Sequence, residues 1–399
     1  MERLTEKFRR KLNYTSIDFV RSIMNEIDWN ARMIGIKGAR GVGKTTLMLQ
    51  YIKLHHENDP SVLYISLDDI WFSDNRLPDF ADSFSKQGGR ILFIDEVHKY
   101  PEWSRALKNI YDDYPELKIV FAGSSLLEII NASADLSRRA VIYRMQGLSF
   151  REYLGFEEAV LPDRLTLEDI IVHHQKISKE VTASVKPLKH FNRYMREGYY
   201  PFYKEIPALY YSRLGEVINM IIETELPQLR GVETAHTSKL KQMLLIISES
   251  APFVPNISKL SERTGINRNT FISYLHYLQE AGLLKNIFRD ARGITRLQKP
   301  DKIFLENTNL AYALGNVMPD TGSLRETFFA NQLSYRHLLT IPAAGDFVVN
   351  ESMVFEIGGR NKTPKQLNTV PDDKKYIAAD GIEYGHANTI PLWMFGFLY

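Results

Sequence analysis

The run Gly38-Ala39-Arg40-Gly41-Val42-Gly43-Lys44-Thr45 fits the pattern G-x-x-x-x-G-K-[ST] in full. The chemistry of such a run is the cradling of phosphate. Glycines let the backbone curl around an anion with its N–H groups turned inward. A helix leaving the loop adds its unpaired N-terminal donors and the positive end of its dipole. Here the backbone from Gly38 through Thr46 would hold the phosphates of ATP. Lys44 would reach the β- and γ-phosphates, and the Thr45 hydroxyl would ligate Mg²⁺. A chance glycine-rich turn has no need of Gly41 and Gly43 together with Lys44-Thr45 in a loop that follows an apolar strand.

A phosphate loop needs carboxylates on its metal side. Ile91-Leu92-Phe93-Ile94 runs apolar into Asp95-Glu96, and acids closing a buried strand are costly unless they face a cleft. Asp95 is expected to hold Mg²⁺, directly or through water, and Glu96 to polarise the attacking water. Lys118-Ile119-Val120-Phe121-Ala122-Gly123 ends in Ser124-Ser125. Either hydroxyl suits a contact to the lytic water or γ-phosphate; helix capping is the plainer role. Asp68 and Asp69 close a similar strand, where a turn role serves as well. Arg138 and Arg139 are candidates for a guanidinium that neutralises charge on the transferring phosphoryl group, within the chain or across an oligomer. As an adjacent pair they read equally as surface charge.

Further along, Asp346-Phe347-Val348-Val349 and Met353-Val354-Phe355-Glu356-Ile357 read as a hairpin turning at Asn350-Glu351-Ser352. That register sets Asp346 opposite Glu356, and facing acids repel unless a metal or a basic side chain lies between them. With Glu326 as a third ligand they would form a second metal site of the Mg²⁺-dependent nuclease kind. Such a site wants a lysine two residues after the second acid, and Gly358 stands there. Lys362 or Arg360 is the available substitute. His55, His56, His173, His174 and His190 show no sustained ligand spacing.

The elements that position these residues follow from hydrophobic patterning. At 399 residues the chain is too long for one core. Residues 1–30 read as a helical segment. Residues 31–155 alternate short apolar runs with helical stretches, the pattern of an α/β domain with a mostly parallel sheet. Residues 156–236 read as a helical linker or lid, and 237–300 as a winged helix-turn-helix. Residues 301–399 read as a C-terminal α/β module, with Lys302-Ile303-Phe304 as its first strand. In the winged segment, Leu260, Ile266, Phe271, Leu275 and Leu278 supply an inner face, and a wing is expected from Lys285 to about Lys299. Residues 239–300 carry ten lysines and arginines against four acids, a net of +6. That patch admits DNA, with Asn267, Arg268, Asn269 and Ser273 facing the groove, although winged helices also serve as protein-docking modules.

The chain as a whole gives no such electrostatic argument, because its formal charge is only +2. It contains no cysteine, which excludes disulfides, thiolate-bound zinc and cysteine nucleophiles and suits a reducing cytoplasm. The first residues are charged, without an apolar signal core. No apolar stretch approaches the length of a membrane span.

The sequence resembles a family of prokaryotic ATP-binding proteins that joins an N-terminal AAA-type ATPase domain to a C-terminal domain of unknown function, numbered 4143, with a restriction-endonuclease-like core. The resemblance rests on Gly38 to Thr45, ILFIDE at 91–96, KIVFAGSS at 118–125 and DLSRR with GLSFREYLGF within 135–156. REGYYP at 196–201, KIFLENTNLAYAL at 302–314, LRETFFANQL at 324–333 and FEIGGRNK at 355–362 extend it. It implies Walker-type roles for Lys44, Thr45, Asp95 and Glu96, arginines after the sensor strand, and a winged helix between the outer domains. Many relatives carry E-x-K in the nuclease-like domain, where this chain has Glu356-Ile357-Gly358, so a degenerate nuclease-like module is expected. The leading expectation is Mg²⁺-dependent ATP hydrolysis coupled to rearrangement of the C-terminal modules. A nucleotide-regulated DNA-binding protein and a metal-dependent nuclease are the alternatives. A homo-oligomer or protein partner fits an arginine acting across copies.

Overall fold

The computed structural model describes residues 1–399 apart from 125, 127–135, 137, 290–298, 316–317 and 364–366. The chain divides into two compact units, Met1–Gly147 and Leu148–Tyr399.

The first unit is a parallel sheet flanked by helices. Its strands are β1 (Met33–Gly38), β2 (Val62–Ser66), β3 (Ile91–Asp95), β4 (Lys118–Ser124) and β5 (Val141–Met145), in the order β2-β3-β4-β1-β5 with every pairing parallel. The four inner-sequence strands are apolar and buried almost throughout, as a sheet covered on both faces requires. The helices are α1 (Glu2–Tyr14), α2 (Lys44–His55), α3 (Leu77–Lys86) and α4 (Trp103–Asp113). Two of them are plainly amphipathic: α4 buries Ala106, Leu107 and Ile110, and α1 buries Leu4, Phe8 and Leu12. Leu107 is fully buried; truncation to alanine would cost about 2–5 kcal/mol.

The connection from α1 to β1 is tied down by side chains of α2. Gln50 donates to the carbonyls of Ser16 and Phe19, both at 2.8 Å, and Lys53 donates to that of Thr15 at 2.8 Å.

The second unit opens with α5 (Phe150–Glu158), started by a capping box between Ser149 and Glu152. Its rings Phe150 and Tyr153 are fully buried and pack on Phe191 and Tyr194. The expected α/β segment 31–155 therefore extends past the end of the first compact unit. Next come α6 (Leu167–Ser184), α7 (Pro187–Glu197) and α8 (Tyr210–Met220), then α9 (Thr237–Ser250), α10 (Ile257–Thr264) and α11 (Arg268–Glu280). A turn at Gly265, with φ of 62°, joins α10 to α11.

Strand β6 (Leu284–Ile287) pairs antiparallel with β7 (Lys302–Leu305). The strand expected to open the C-terminal module thus belongs to the hairpin that follows α11. Most of the expected wing, 290–298, lies outside the described residues.

Beyond α12 (Thr308–Leu314) and α13 (Thr321–Leu333) stands a second five-stranded sheet. It contains β8 (Leu339–Thr340), β9 (Phe347–Val349), β10 (Met353–Gly358), β11 (Lys375–Ala379) and β12 (Thr389–Pro391), in the order β12-β11-β10-β9-β8. Among the described residues no helix is long and apolar enough to cross a membrane.

Candidate nucleotide-binding site

The loop between β1 and α2 needs glycine at two positions: Gly41 has φ of 83° and Gly43 of 99°, where a side chain is strained. Val42 between them is fully buried. Its carbonyl accepts from Arg21 at 2.8 Å, and the same guanidinium donates to Gln146 and Gly147, both at 2.9 Å. The loop is thereby pinned to the exit of β5. Lys44 is buried and donates to the carbonyls of Gly38 at 2.8 Å and Ala39 at 2.9 Å. Thr45 is half-buried, Thr46 is exposed on the first turn of α2, and Arg40 is half-buried within the loop.

The Thr45 hydroxyl donates to Asp95 Oδ2 at 2.6 Å. This bond reaches across the end of β4, since β4 lies between β1 and β3. Asp95 is buried, its Oδ1 accepts from the Glu96 amide at 2.9 Å, and its Oδ2 accepts a second hydroxyl, that of Tyr64, at 2.9 Å. Burial first, and then the Asp95 charge, push the Tyr64 phenol far above its ordinary pKa. Glu96 adopts a left-handed backbone with φ of 52°, and its Oε2 lies 3.2 Å from His98 Nε2. Ser124 ends β4 in register with Gly38, and its hydroxyl accepts from the Leu126 amide at 3.3 Å. Ser125 lies outside the described residues.

Thr45 and Asp95, 2.6 Å apart, form a hard oxygen donor pair of the kind Mg²⁺ prefers. The residues fit the ion.

Other expected residues lie elsewhere. Asp69 pairs with Lys7 and Asp68 accepts from Ser66, so both serve the turn after β2. Arg138 and Arg139 precede β5, whose register pairs Val141 with Ile34 and Met145 with Gly38. They therefore stand at the end of the sheet opposite the loop, roughly 15 Å away by strand rise. Arg139 is engaged there by Asp112 through two bonds of 2.8 Å, and Arg138 is exposed. Neither arginine approaches its own chain's loop.

In the second unit Asp346 does sit opposite Glu356. The Asp346 amide donates to Phe355 at 2.9 Å, and its carboxylate accepts from the Ile357 amide at 2.7 Å. Glu326 and Glu356 are both pushed above the ordinary carboxylate range, by burial first and by the Asp346 charge in turn. Lysines occupy the acids: Lys362 lies 2.5 Å from Glu356, and Lys302 lies 2.5 Å from Glu326. Among the described residues no group of three or more acids or histidines is placed to hold a metal. Of the expected second site, Glu326 and Glu356 thus each face a lysine, and Asp346 bonds the main chain of the strand opposite.

Sequence reasoning missed Arg21 and Tyr64. A tyrosine inside an apolar strand reads as core, and nothing near Arg21 marks it as a partner of the loop.

Residues 30–154 match a family model described as an AAA domain. Their parallel five-stranded sheet with flanking helices has the P-loop fold of such a domain. Residues 188–321 match a model described as a domain of unknown function, numbered 8612 rather than the expected 4143. An uncharacterized protein of Methanocaldococcus jannaschii is 28% identical over 368 residues, covering 84% of this chain and 77% of its own. Among solved structures, the Aeropyrum pernix ORC1 protein in complex with DNA is 14% identical with a TM-score of 0.32, covering 77% of this chain and 91% of that one. AMPPCP-bound DnaA from Aquifex aeolicus is 13% identical with a TM-score of 0.28, covering 70% and 88%. Likenesses as loose as these last two carry no function across.

Proposed function

We propose that the protein binds ATP with Mg²⁺ and hydrolyses it, and that the hydrolytic cycle rearranges the C-terminal modules. The observation that carries this reading is the 2.6 Å bond between Thr45 and Asp95, which joins the phosphate loop to the carboxylate strand. Bound Mg²⁺ would neutralise charge on the β- and γ-phosphates. The chain's own residues do the rest. The N–H groups of Gly38 through Thr46 wrap the anion, and Lys44 turns its ammonium to the terminal phosphates. Asp95 orients Thr45, Glu96 accepts a proton from the attacking water, and Ser124 at the end of β4 hydrogen-bonds that water. A finger arginine, in this reading, comes from a second copy of the chain, and exposed Arg138 supplies it. Calorimetric titration with ATP and Mg²⁺ tests the reading. Binding that Lys44→Ala abolishes is expected; equal binding by both proteins overturns it.

A second reading, a nucleotide-regulated DNA-binding protein, is favoured by one observation. Lys259, Arg263, Arg268 and Asn269 are all exposed around the turn between α10 and α11. Asn267 contributes less than expected, because its side chain caps α11 by accepting from the Thr270 amide at 3.0 Å. Duplex binding that weakens steeply with salt supports this reading, and no binding at low salt removes it.

A further inference from the structure

We infer that Tyr64 is a positioning residue for the Asp95 carboxylate and, through it, sets the affinity of the site for the divalent cation; this rests on the ATPase reading. Tyr64 pairs with Phe93 on β3, while Ser66 pairs with Asp95. Side chains two residues apart share a face, so Tyr64 is the diagonal neighbour of Asp95, at a reach that suits an aromatic side chain. Its hydroxyl meets Asp95 Oδ2 at 2.9 Å. That oxygen also accepts from Thr45 at 2.6 Å, and Oδ1 accepts from the Glu96 amide. A carboxylate offers about four lone-pair positions, and three are directed here by protein donors. The carboxyl plane is thus set before a metal arrives. Thr45 gives its proton to Oδ2, which would leave its oxygen lone pairs for Mg²⁺, and the remaining carboxylate position would be available to the ion or to its water.

The phenol is itself held. Tyr64 is buried, the Phe8 ring of α1 stacks on it at 6.4 Å, and Lys11 Nζ lies 5.1 Å from its centroid. Helix α1 therefore reaches the metal side of the site through a single aromatic side chain.

Tyr64→Phe keeps the ring and its packing and removes only the hydroxyl. The full-length protein and this variant are titrated calorimetrically with ADP, once in EDTA and once in Mg²⁺. In EDTA the two are expected to bind ADP equally. In Mg²⁺ the variant is expected to bind about 10-fold more weakly, the usual cost of removing a partner of a ligating carboxylate. In an Asp95→Asn background, Tyr64→Phe is expected to change nothing further. Unchanged Mg²⁺ dependence overturns the inference, as does an equal loss in EDTA and Mg²⁺, which marks a purely structural phenol. Wild-type protein that binds no ADP in either titration instead overturns the ATPase reading itself, and this inference with it.

Discussion

Arg21 donates to the carbonyl of Val42 at 2.8 Å, so a residue of the segment before the sheet grips the middle of the phosphate loop. The same guanidinium holds the carbonyls of Gln146 and Gly147. Arg21→Ala would remove the donor from these acceptors, of which the bonds to Val42 and Gly147 are buried, at about 1–3 kcal/mol for each buried one left unpaired. A fall in the melting temperature is expected, together with weaker nucleotide binding. Arg21→Lys restores one charge but not the planar fork, so its affinity should fall between the two. Differential scanning calorimetry beside nucleotide titration checks both.

Glu96 stands apart from Asp95 in both backbone and partner. Glu96→Gln keeps the size of the side chain and loses the base. ATP binding in Mg²⁺ should persist while turnover falls by about 10²–10⁴-fold. Phosphate release under saturating ATP measures this, and turnover within a few-fold of wild type would remove Glu96 from the base role.

The two arginines before β5 differ in their engagement. Arg139 is tied to Asp112 and Arg138 is exposed. Arg138→Ala is expected to lower turnover by about 10³-fold, and Arg139→Ala to leave it near wild type. Adding Lys44→Ala protein, which keeps its Arg138, should restore part of the activity of Arg138→Ala protein. No restoration at any mixing ratio would count against supply by a second copy.

Glu326 and Glu356 have folded-state pKa values raised by burial. Between the ordinary carboxylate pKa and the raised value, the folded protein binds more protons than the unfolded one. Stability therefore falls as pH rises through that window and stays lower above it. Glu326→Gln removes the burial cost of the charge. It should raise the melting temperature at pH 8, and the gain should shrink toward pH 5. A gain independent of pH would show that the charge of Glu326 is not the cause.

The phosphate loop and Asp95-Glu96 were legible in the sequence because strand, loop and helix are contiguous there, and because acids closing an apolar strand have few other uses. The pairing of Asp346 with Glu356 was legible too, since a short turn leaves little freedom of register. What escaped depends on contacts between distant segments. Tyr64 meets Asp95 only through strand pairing, and Arg21 meets Val42 only after the chain has crossed the sheet. The arginines at 138 and 139 follow β4 in sequence, yet a parallel connection returns the chain to the opposite end before β5 starts. Lys302 reads as a new beginning, but it closes a hairpin begun at Leu284.

Strand β4 carries neither the phosphate loop nor the metal-side acids, yet it is bonded along both edges to the strands that do. The gauge between the strand that enters the loop and the strand that bears the carboxylate is thus two ladder steps, roughly 10 Å, fixed by main chain and indifferent to side-chain identity. Substitutions on either bank can retune affinity or rate while the span between the banks stays constant.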